Sequence, residues 1–241
     1  MANLTLDDVR SKKYKFKYDP SKYPFVSIMR KILEHDGDLK KIHMEYASAV
    51  TEQVTFENDT ATYFHKKYYK SPIYHEMIEL YTEFLRSEVL PQFAGEQFVV
   101  QKEPSFRIHL PKNTALGKRS DQSDDEIIGL HCDSEYGHPD TEMNIMLSLT
   151  GQSGTNSCYI ESAPLQGDYA PLEIAEGEYM IFYGNKCRHF NKRNLTEDTR
   201  ISFDFRVIPA HLYEPTETGA IHSQKKFVVG GYYTEMNVSS V

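Results

Sequence analysis

The spacing of hydrophobic residues changes near residue 96, and this change constrains the fold most strongly. Before it, apolar side chains recur at helical spacing, which predicts helices over residues 24–34 and 74–93. After it, apolar and polar residues alternate, which predicts short strands over residues 98–100, 106–110, 127–130, 143–149, 179–183 and 201–208. Many short strands separated by Gly, Pro, Asn and Asp are typical of a sandwich, jelly roll or barrel.

The chain shows no internal repeat and no clear linker, so we predict a single domain over residues 1–241. Residues 1–95 are expected to form a mostly helical layer, and residues 96–241 the β core. The aromatic run at 63–69 is expected to pack on that core, although stacking on a nucleotide is a less favoured alternative. The most polar stretch, 118–126, is predicted to be a mobile loop before the next strand.

Charge and cysteine usage narrow the possible partners. The formal net charge of -8 argues against a general nucleic-acid-binding protein, which would carry a basic stripe. Cys132, Cys158 and Cys187 have no regular spacing, and such sparse usage fits a reducing compartment. The N-terminus carries no apolar signal segment, and no stretch is long enough to span a bilayer. We therefore expect a cytoplasmic protein without nucleic-acid or membrane partners, whose oligomeric state the sequence leaves open.

His131 and Asp133 are the first candidate metal ligands. They lie two residues apart at the end of a predicted strand, so their side chains point to the same face. His189 follows a later strand, and a barrel can bring it beside the first pair. Two histidines and one carboxylate on one face of an octahedral ion are typical of non-haem Fe(II) oxygenases. The chain has ten histidines, so a His-x-Asp tripeptide alone is weak support.

The strand that follows His189 strengthens the hypothesis. Its apolar face carries Ile201, Phe203, Phe205 and Val207, and its polar face carries Arg200, Ser202, Asp204 and Arg206. A solvent-exposed face is the ordinary explanation of such a pattern. If the polar face instead points inward, an Arg-x-Ser pair can bind a carboxylate through bidentate and hydroxyl hydrogen bonds.

These residues together resemble a known family. His131-x-Asp133, His189 and Arg200-x-Ser202 match in order and spacing the pattern of Fe(II)/2-oxoglutarate-dependent dioxygenases. Further segments are similar to the streptomycin-biosynthesis-protein-like branch of that superfamily: 106–111, 131–139, 142–144, 154–157, 161–164, 184–189 and 200–209. The resemblance covers about residues 104–209, with a looser similarity at 230–233, and leaves the N-terminal helices uncovered.

The resemblance implies a fold and a reaction. It implies a double-stranded β-helix, which is a jelly-roll core, with Fe(II) held by His131, Asp133 and His189. It also implies 2-oxoglutarate as co-substrate with dioxygen, its 5-carboxylate bound by Arg200 and Ser202. The expected outcome is oxidation of a C–H bond with release of succinate and CO2. Hydroxylation is the usual form, and desaturation or ring closure are variants.

Further residues are candidates for ligand contacts. Asn144 is expected to hydrogen-bond the 1-carboxylate of 2-oxoglutarate or a metal ligand, and a purely structural amide is equally compatible. Arg107 is a candidate for binding a substrate carboxylate or 2-oxoglutarate, and Arg206 for binding substrate. Ion pairing with nearby acids is the alternative for both. Arg206 also competes with Arg200 for the role of 2-oxoglutarate clamp. Glu135 and His138 follow Asp133 and are candidate substrate contacts or loop-stabilising residues.

Three other functions stay open at this point. A cupin-type metalloenzyme would use a jelly roll without 2-oxoglutarate, but such sites mostly have three histidines. A degenerate oxygenase fold could serve as a binding module, and a zinc hydrolase could use the same three ligands. The Arg-x-Ser pair is explained best by the oxygenase, for which we expect a small polar metabolite carrying an anionic group.

Overall fold

The computed structural model describes residues 2–45, 62–112, 128–216, 218–219 and 225–238. Within these residues the strands are β1 Tyr14–Lys17, β2 Gln97–Gln101, β3 Ser105–His109, β4 Ile128–His131, β5 Met143–Ser148, β6 Cys158–Ile160, β7 Ala170–Pro171, β8 Glu178–Phe182, β9 His189–Asn191, β10 Arg200–Pro209 and β11 Tyr233–Asn237. The α-helices are α1 Leu6–Ser11, α2 Phe25–Leu33, α3 Tyr63–Lys70 and α4 Tyr74–Phe84.

The strands form two antiparallel sheets. In the described residues the larger sheet has the order β1-β8-β5-β10-β2-β11, and β3 pairs with β10 beside β2. The smaller sheet has the order β4-β9-β6-β7. Apolar residues of both sheets join one hydrophobic core. The two sheets confirm the predicted jelly-roll, double-stranded β-helix class.

The helices cover one face of the larger sheet through aromatic contacts. Phe84 of α4 meets Tyr179 of β8 edge to face at 5.4 Å. Tyr68 of α3 stacks on Phe106 of β3 at 4.6 Å, and Tyr81 of α4 meets Phe205 of β10 at 5.1 Å. The helices thus bury the apolar face of the larger sheet.

β10 is the central strand of the larger sheet, and its two faces carry different kinds of side chain. Phe203 and Phe205 lie on the helix side and are completely buried. Arg200, Ser202 and Arg206 lie on the other side and are buried as well. The polar face of β10 therefore points into the protein, and solvent exposure does not explain its composition.

Most of the predicted elements are present, with shifted ends. The helix predicted over 74–93 is helical to Gln92, but α4 ends at Phe84. It continues as a π-helical turn, Leu85–Val89, and a 3-10 turn, Leu90–Gln92, that contains Pro91. Five strands were not predicted: β1, β6, β7, β9 and β11. β1 lies in the segment expected to be helical and pairs with the edge of β8.

The aromatic run at 63–69 is divided between the core and the surface. Phe64 and Tyr68 are buried in the core, as expected for the aromatic run, whereas Tyr63 and Tyr69 are exposed. The predicted loop over 118–126 lies outside the described residues. The assignment of one domain stays a prediction. Among the described helices, none has the length and apolar character needed to cross a bilayer.

The aromatic layer predicts a stability effect. Phe84 is fully buried among Tyr18, Tyr23, Phe25 and Tyr179. We expect Phe84→Ala to lower the free energy of unfolding by about 3–5 kcal/mol, since it leaves a cavity between helix and sheet. Urea unfolding should show a lower midpoint at unchanged slope. Leu195→Ala, at an exposed position, is the control and should change the free energy by less than about 0.5 kcal/mol.

Candidate metal and co-substrate site

Two short strands of the smaller sheet bring the histidines together. β4 and β9 are antiparallel neighbours, and His131 lies directly opposite His189 in their register. The two imidazole rings are 4.3 Å apart between centroids. Asp133 follows β4 at the start of a 3-10 turn, Asp133–Tyr136, and is buried. The three predicted ligands therefore meet at one end of the smaller sheet.

Their donor atoms converge on one point. Asp133 Oδ1 lies 3.8 Å from His131 Nε2 and 3.3 Å from His189 Nε2. One possible ligand atom from each residue lies within 4.8 Å of the other two. Among the described residues, these three side chains form the group of His, Cys, Asp or Glu that could hold a metal ion. Two imidazoles and one carboxylate suit a divalent transition metal with further positions open.

Backbone carbonyls orient both imidazole rings. His131 Nδ1 is 2.5 Å from Gly129 O, and His189 Nδ1 is 3.1 Å from Cys187 O. A carbonyl only accepts hydrogen bonds, so each Nδ1 must donate, and either ring in its neutral form carries its lone pair on Nε2. This arrangement, with the second ring nitrogen bonded to the protein, is the one that metal-binding histidines adopt.

The charge states also favour metal binding. Burial and the neighbouring His189 lower the pKa of His131 to about 4, so this ring is neutral at physiological pH. Burial opposes ionisation of Asp133, but the charge of Arg206 and the hydrogen bond with His189 hold the pKa of its carboxyl well below the ordinary value. Burial opposes protonation of His189, but its hydrogen bond with Asp133 raises the pKa of this ring, so a metal ion would displace a proton from it. The site therefore presents one neutral imidazole and one carboxylate directly, and the second imidazole after loss of that proton.

The second oxygen of Asp133 is bound by the protein. Asp133 Oδ2 accepts hydrogen bonds from Asn144 Nδ2 at 2.7 Å and from Arg206 Nη2 at 3.0 Å. Asn144 and Arg206 occupy paired positions on β5 and β10. Of the two ligand contacts considered for Asn144, the structure shows the one to a metal ligand.

Gly184 makes room for the Asn144 amide. Its backbone N–H donates to Asn144 Oδ1 at 2.9 Å, and its carbonyl accepts from the Asp133 N–H at 3.1 Å. A Cβ at position 184 would lie 2.9 to 3.0 Å from the atoms of the Asn144 amide. A larger residue would displace that amide, so the glycine is needed for close approach rather than for an unusual backbone angle.

Arg206 and Arg107 share a largely buried acid, Asp204. Asp204 accepts hydrogen bonds from Arg206 Nη1 and, at 2.8 Å, from Arg107 Nε. Arg206 thereby bridges Asp204 to Asp133, and its side chain is only 9% exposed. The Arg107 side chain is 28% exposed and retains contact with solvent. Both arginines lie on the inner face, and the ion pairs weighed as alternatives for them are present.

Arg200 and Ser202 lie beside unsatisfied polar groups. Arg200 Nη2 donates to Asn191 Oδ1 at 3.2 Å. Its Nε and Nη1, together with the hydroxyls of Ser202 and Ser148, are buried without a hydrogen-bond partner among the described residues. Ser148 lies opposite Ser202 in the sheet register. Such groups are costly to bury unless a ligand satisfies them, and a carboxylate matches this set of donors.

This set of donors lies close to the metal ligands. Asn191, which binds Arg200, is two residues beyond His189 on β9, so both side chains point to the same face. Residues two apart on a strand are separated by about 6.6 Å. Burial lowers the pKa of Arg200 to about 10, in line with the hydrogen-bond partners that it lacks among the described residues. The residues present therefore fit a dicarboxylate that reaches from the ion to Arg200.

Glu135 lies within the turn that begins at Asp133, and His138 lies two residues after the turn ends. Glu135 is exposed and forms an ion pair with Arg188 at 2.9 Å. His138 Nδ1 lies 2.9 Å from Glu142 Oε2, and its ring lies 4.2 Å from that of Phe227. The fully buried Glu142 also accepts a hydrogen bond from the Tyr233 hydroxyl. The environment of His138 is thus a closed polar cluster, whereas Glu135 faces solvent.

Sequence reasoning missed several of these residues. Ser148 and Asn191 were not singled out, although each follows from strand alternation: Ser148 shares the Asn144 face of β5, and Asn191 shares the His189 face. Glu142 and Tyr233 lie in the similar segments 142–144 and 230–233, but their contact had no local signal, because 91 residues separate them. The three cysteines are free and buried.

Comparison with known proteins agrees with this picture. No known family profile matches the chain. StrG, the streptomycin biosynthesis protein of Streptomyces griseus, is 27% identical over 224 residues, which cover 91% of this chain and 96% of StrG. The chain resembles StrG over nearly its whole length. The resemblance inferred from motifs at 104–209 is thereby confirmed and extended to the N-terminal helices.

Solved structures provide a second comparison. EctD from S. alaskensis, in its apo form, superposes with a TM-score of 0.53 at 11% identity, covering 88% of this chain and 78% of EctD. SnoK, a non-heme alpha-ketoglutarate-dependent carbocyclase from nogalamycin biosynthesis, gives a TM-score of 0.48 at 12% identity, with 86% of this chain and 85% of SnoK covered. The chain therefore shares the fold of EctD.

The geometry predicts which residues bind metal. We expect His131→Ala to weaken Co(II) binding by more than the roughly 100-fold that loss of a supporting hydrogen bond can cost, because it removes one of three ligands. Isothermal titration calorimetry measures this directly. The exposed His75 is the matched control, and His75→Ala should bind Co(II) as the wild type does. Equal affinities for wild type and His131→Ala would exclude this site.

Proposed function

We propose that the protein is an Fe(II)- and 2-oxoglutarate-dependent oxygenase. It oxidises, most often by hydroxylation, a C–H bond of a small polar metabolite that carries an anionic group, and it releases succinate and CO2. One observation carries the proposal: among the described residues, two nitrogens of the buried Arg200 and the buried hydroxyls of Ser202 and Ser148 have no hydrogen-bond partner, and they lie near the His131, Asp133 and His189 cluster. A metal site that binds no dicarboxylate would leave these polar groups buried without hydrogen bonds.

The distribution of charge supports Arg200 as the 2-oxoglutarate clamp. Arg206 is bound by Asp204 and Asp133, whereas Arg200 keeps two nitrogens for a ligand. Ser202 and Ser148 supply hydroxyls beside it. A carboxylate in this position would satisfy all the donors at once.

Iron and the oxo acid, when bound, would supply the oxidising chemistry with dioxygen. The protein's own residues bind and orient. His131 and His189 present Nε2 atoms fixed by backbone hydrogen bonds, and Asp133 presents one oxygen.

The substrate class rests on two observations. Arg107 faces inward, is the more exposed of the two arginines bound to Asp204, and is suited to an anionic group. The name of StrG refers to streptomycin biosynthesis, which supports a small polar metabolite. Glu135 and His138 are further candidates for substrate contact, and Glu135 is the more accessible.

The alternative functions explain only part of the arrangement of these residues. A zinc hydrolase or a cupin-type enzyme without 2-oxoglutarate would account for the histidines but not for the donors around Arg200. A binding module would not require ligand atoms that converge on one ion. The oxygenase accounts for both features.

Formation of succinate tests the proposal. Purified protein with Fe(II), ascorbate, dioxygen and 2-oxoglutarate should release succinate slowly even without substrate. His131→Ala should abolish this release, and His75→Ala should leave it unchanged. Absence of succinate from the wild type, or an equal rate in His131→Ala, would contradict the proposal.

Arg200 provides a separate prediction that links stability to function. Arg200→Met replaces a buried and incompletely paired cation by an apolar side chain of similar length. Without ligand, we expect the free energy of unfolding to rise by about 1–3 kcal/mol, the range for an unsatisfied buried polar group. Succinate formation should fall strongly at the same time. A variant less stable than the wild type would mean that the fold itself satisfies Arg200.

A further inference from the structure

We propose that Arg206 and Asn144 are positioning residues that keep Asp133 a one-oxygen metal ligand, so that three metal positions stay available. The inference rests on the proposed function, because it assigns both residues a task in co-substrate binding. It goes beyond that function by explaining why the carboxylate ligand has an arginine and an amide behind it.

The number of open positions is the chemical reason. An octahedral ion held by two imidazoles and one carboxylate oxygen has three positions left. When bound, 2-oxoglutarate would use two of them through its 1-carboxylate and 2-oxo group, and dioxygen would require the third. A carboxylate can also bind an ion through both oxygens. If Asp133 did so, only two positions would remain.

The hydrogen bonds of Asp133 prevent this second mode. Oδ1 faces both Nε2 atoms, whereas Oδ2 accepts one N–H from Asn144 at 2.7 Å and one from Arg206 at 3.0 Å. A carboxylate oxygen offers about two lone-pair sites. Oδ2 therefore has no acceptor site left for a metal ion.

Both donors are themselves held in place. The Asn144 amide is oriented from its other end, since Asn144 Oδ1 accepts the Gly184 N–H at 2.9 Å. Arg206 is anchored by Asp204, and its Nε lies 4.0 Å from Glu142 Oε2. Because the two residues are paired neighbours on β5 and β10, the sheet fixes the distance between their donors.

The choice of variants follows from the buried charges. Complete loss of the Arg206 charge would leave Asp133, Asp204 and Glu142 buried with less compensation, and the protein could unfold. Arg206→Lys keeps the charge, but one ammonium cannot reproduce the planar fork that bridges Asp204 and Asp133. Asn144→Ala removes the other donor without changing any charge. Asn156→Ala, at another buried asparagine, is the matched control.

The experiment separates metal binding from co-substrate binding. Co(II) replaces Fe(II) as a redox-stable probe, and calorimetry measures first Co(II) and then 2-oxoglutarate binding to the Co(II)-loaded protein. We expect Asn144→Ala and Arg206→Lys to retain Co(II) binding but to bind 2-oxoglutarate about 10-fold or more weakly. The Co(II) absorption spectrum of the variants should also differ from that of wild type, because Asp133 then occupies a further position.

Other outcomes overturn the inference. If both variants bind 2-oxoglutarate like wild type and Asn156→Ala, Oδ2 needs no blocking. If they lose Co(II) affinity but bind 2-oxoglutarate normally once saturated with Co(II), the residues support only the metal. If neither variant shows a cooperative thermal transition, Arg206 and Asn144 are required for folding and not specifically for co-substrate binding. A wild type that binds neither probe would instead contradict the proposed function.

Discussion

Arg206 lies between two buried carboxylates, and the arrangement of the site depends on this contact. Asp133 is buried and Asp204 is largely buried, and burial of two acids is unfavourable unless a cation compensates them. Despite burial, Arg107 and Arg206 hold the pKa of Asp204 below its ordinary value. The same contact fixes one oxygen of Asp133, so a single arginine connects the interior of the larger sheet to the metal ligands.

β10 explains how one strand can serve both structure and chemistry. Its apolar side chains lie under the helices, where Phe203 and Phe205 meet Phe25 and Tyr81. Its polar side chains face the smaller sheet, which carries His131 and His189. The helices therefore act on the site indirectly, because they bury the face of β10 that must be apolar and thereby direct the other face inward. A one-residue shift of register would exchange these roles.

The sequence predicted the parts of the site that depend on local order. His131-x-Asp133 follows from strand alternation, and the inner face of β10 follows from its strict period of two. The sequence could not decide whether Asn144 is a ligand contact or a structural amide, because the answer depends on Gly184, which is 40 residues away. Charge alone could not show which of Arg200 and Arg206 binds 2-oxoglutarate. In this respect the two arginines differ only in the structure, where Asp204 and Asp133 bind Arg206.

The missed strands have a similar explanation. β6 and β9 have three residues each, which is too short for a periodic pattern, and β1 carries two lysines at the edge of its sheet. Their pairing is set by partners distant in sequence. The buried Glu142, His138 and Tyr233 cluster is likewise invisible locally, although it supports the turn that carries Asp133.

Arg200, Ser202 and Ser148 are the residues that we propose to bind the distal carboxylate of the co-substrate. The most direct test of this proposal compares 2-oxoglutarate with 2-oxobutyrate, which has the same chelating end but no distal carboxylate, by calorimetry on the Co(II)-loaded protein. The account predicts that 2-oxoglutarate binds about 100-fold more tightly, which corresponds to about 2.7 kcal/mol, and that Arg200→Met removes most of this preference. Equal affinities of the wild type for the two acids would contradict it.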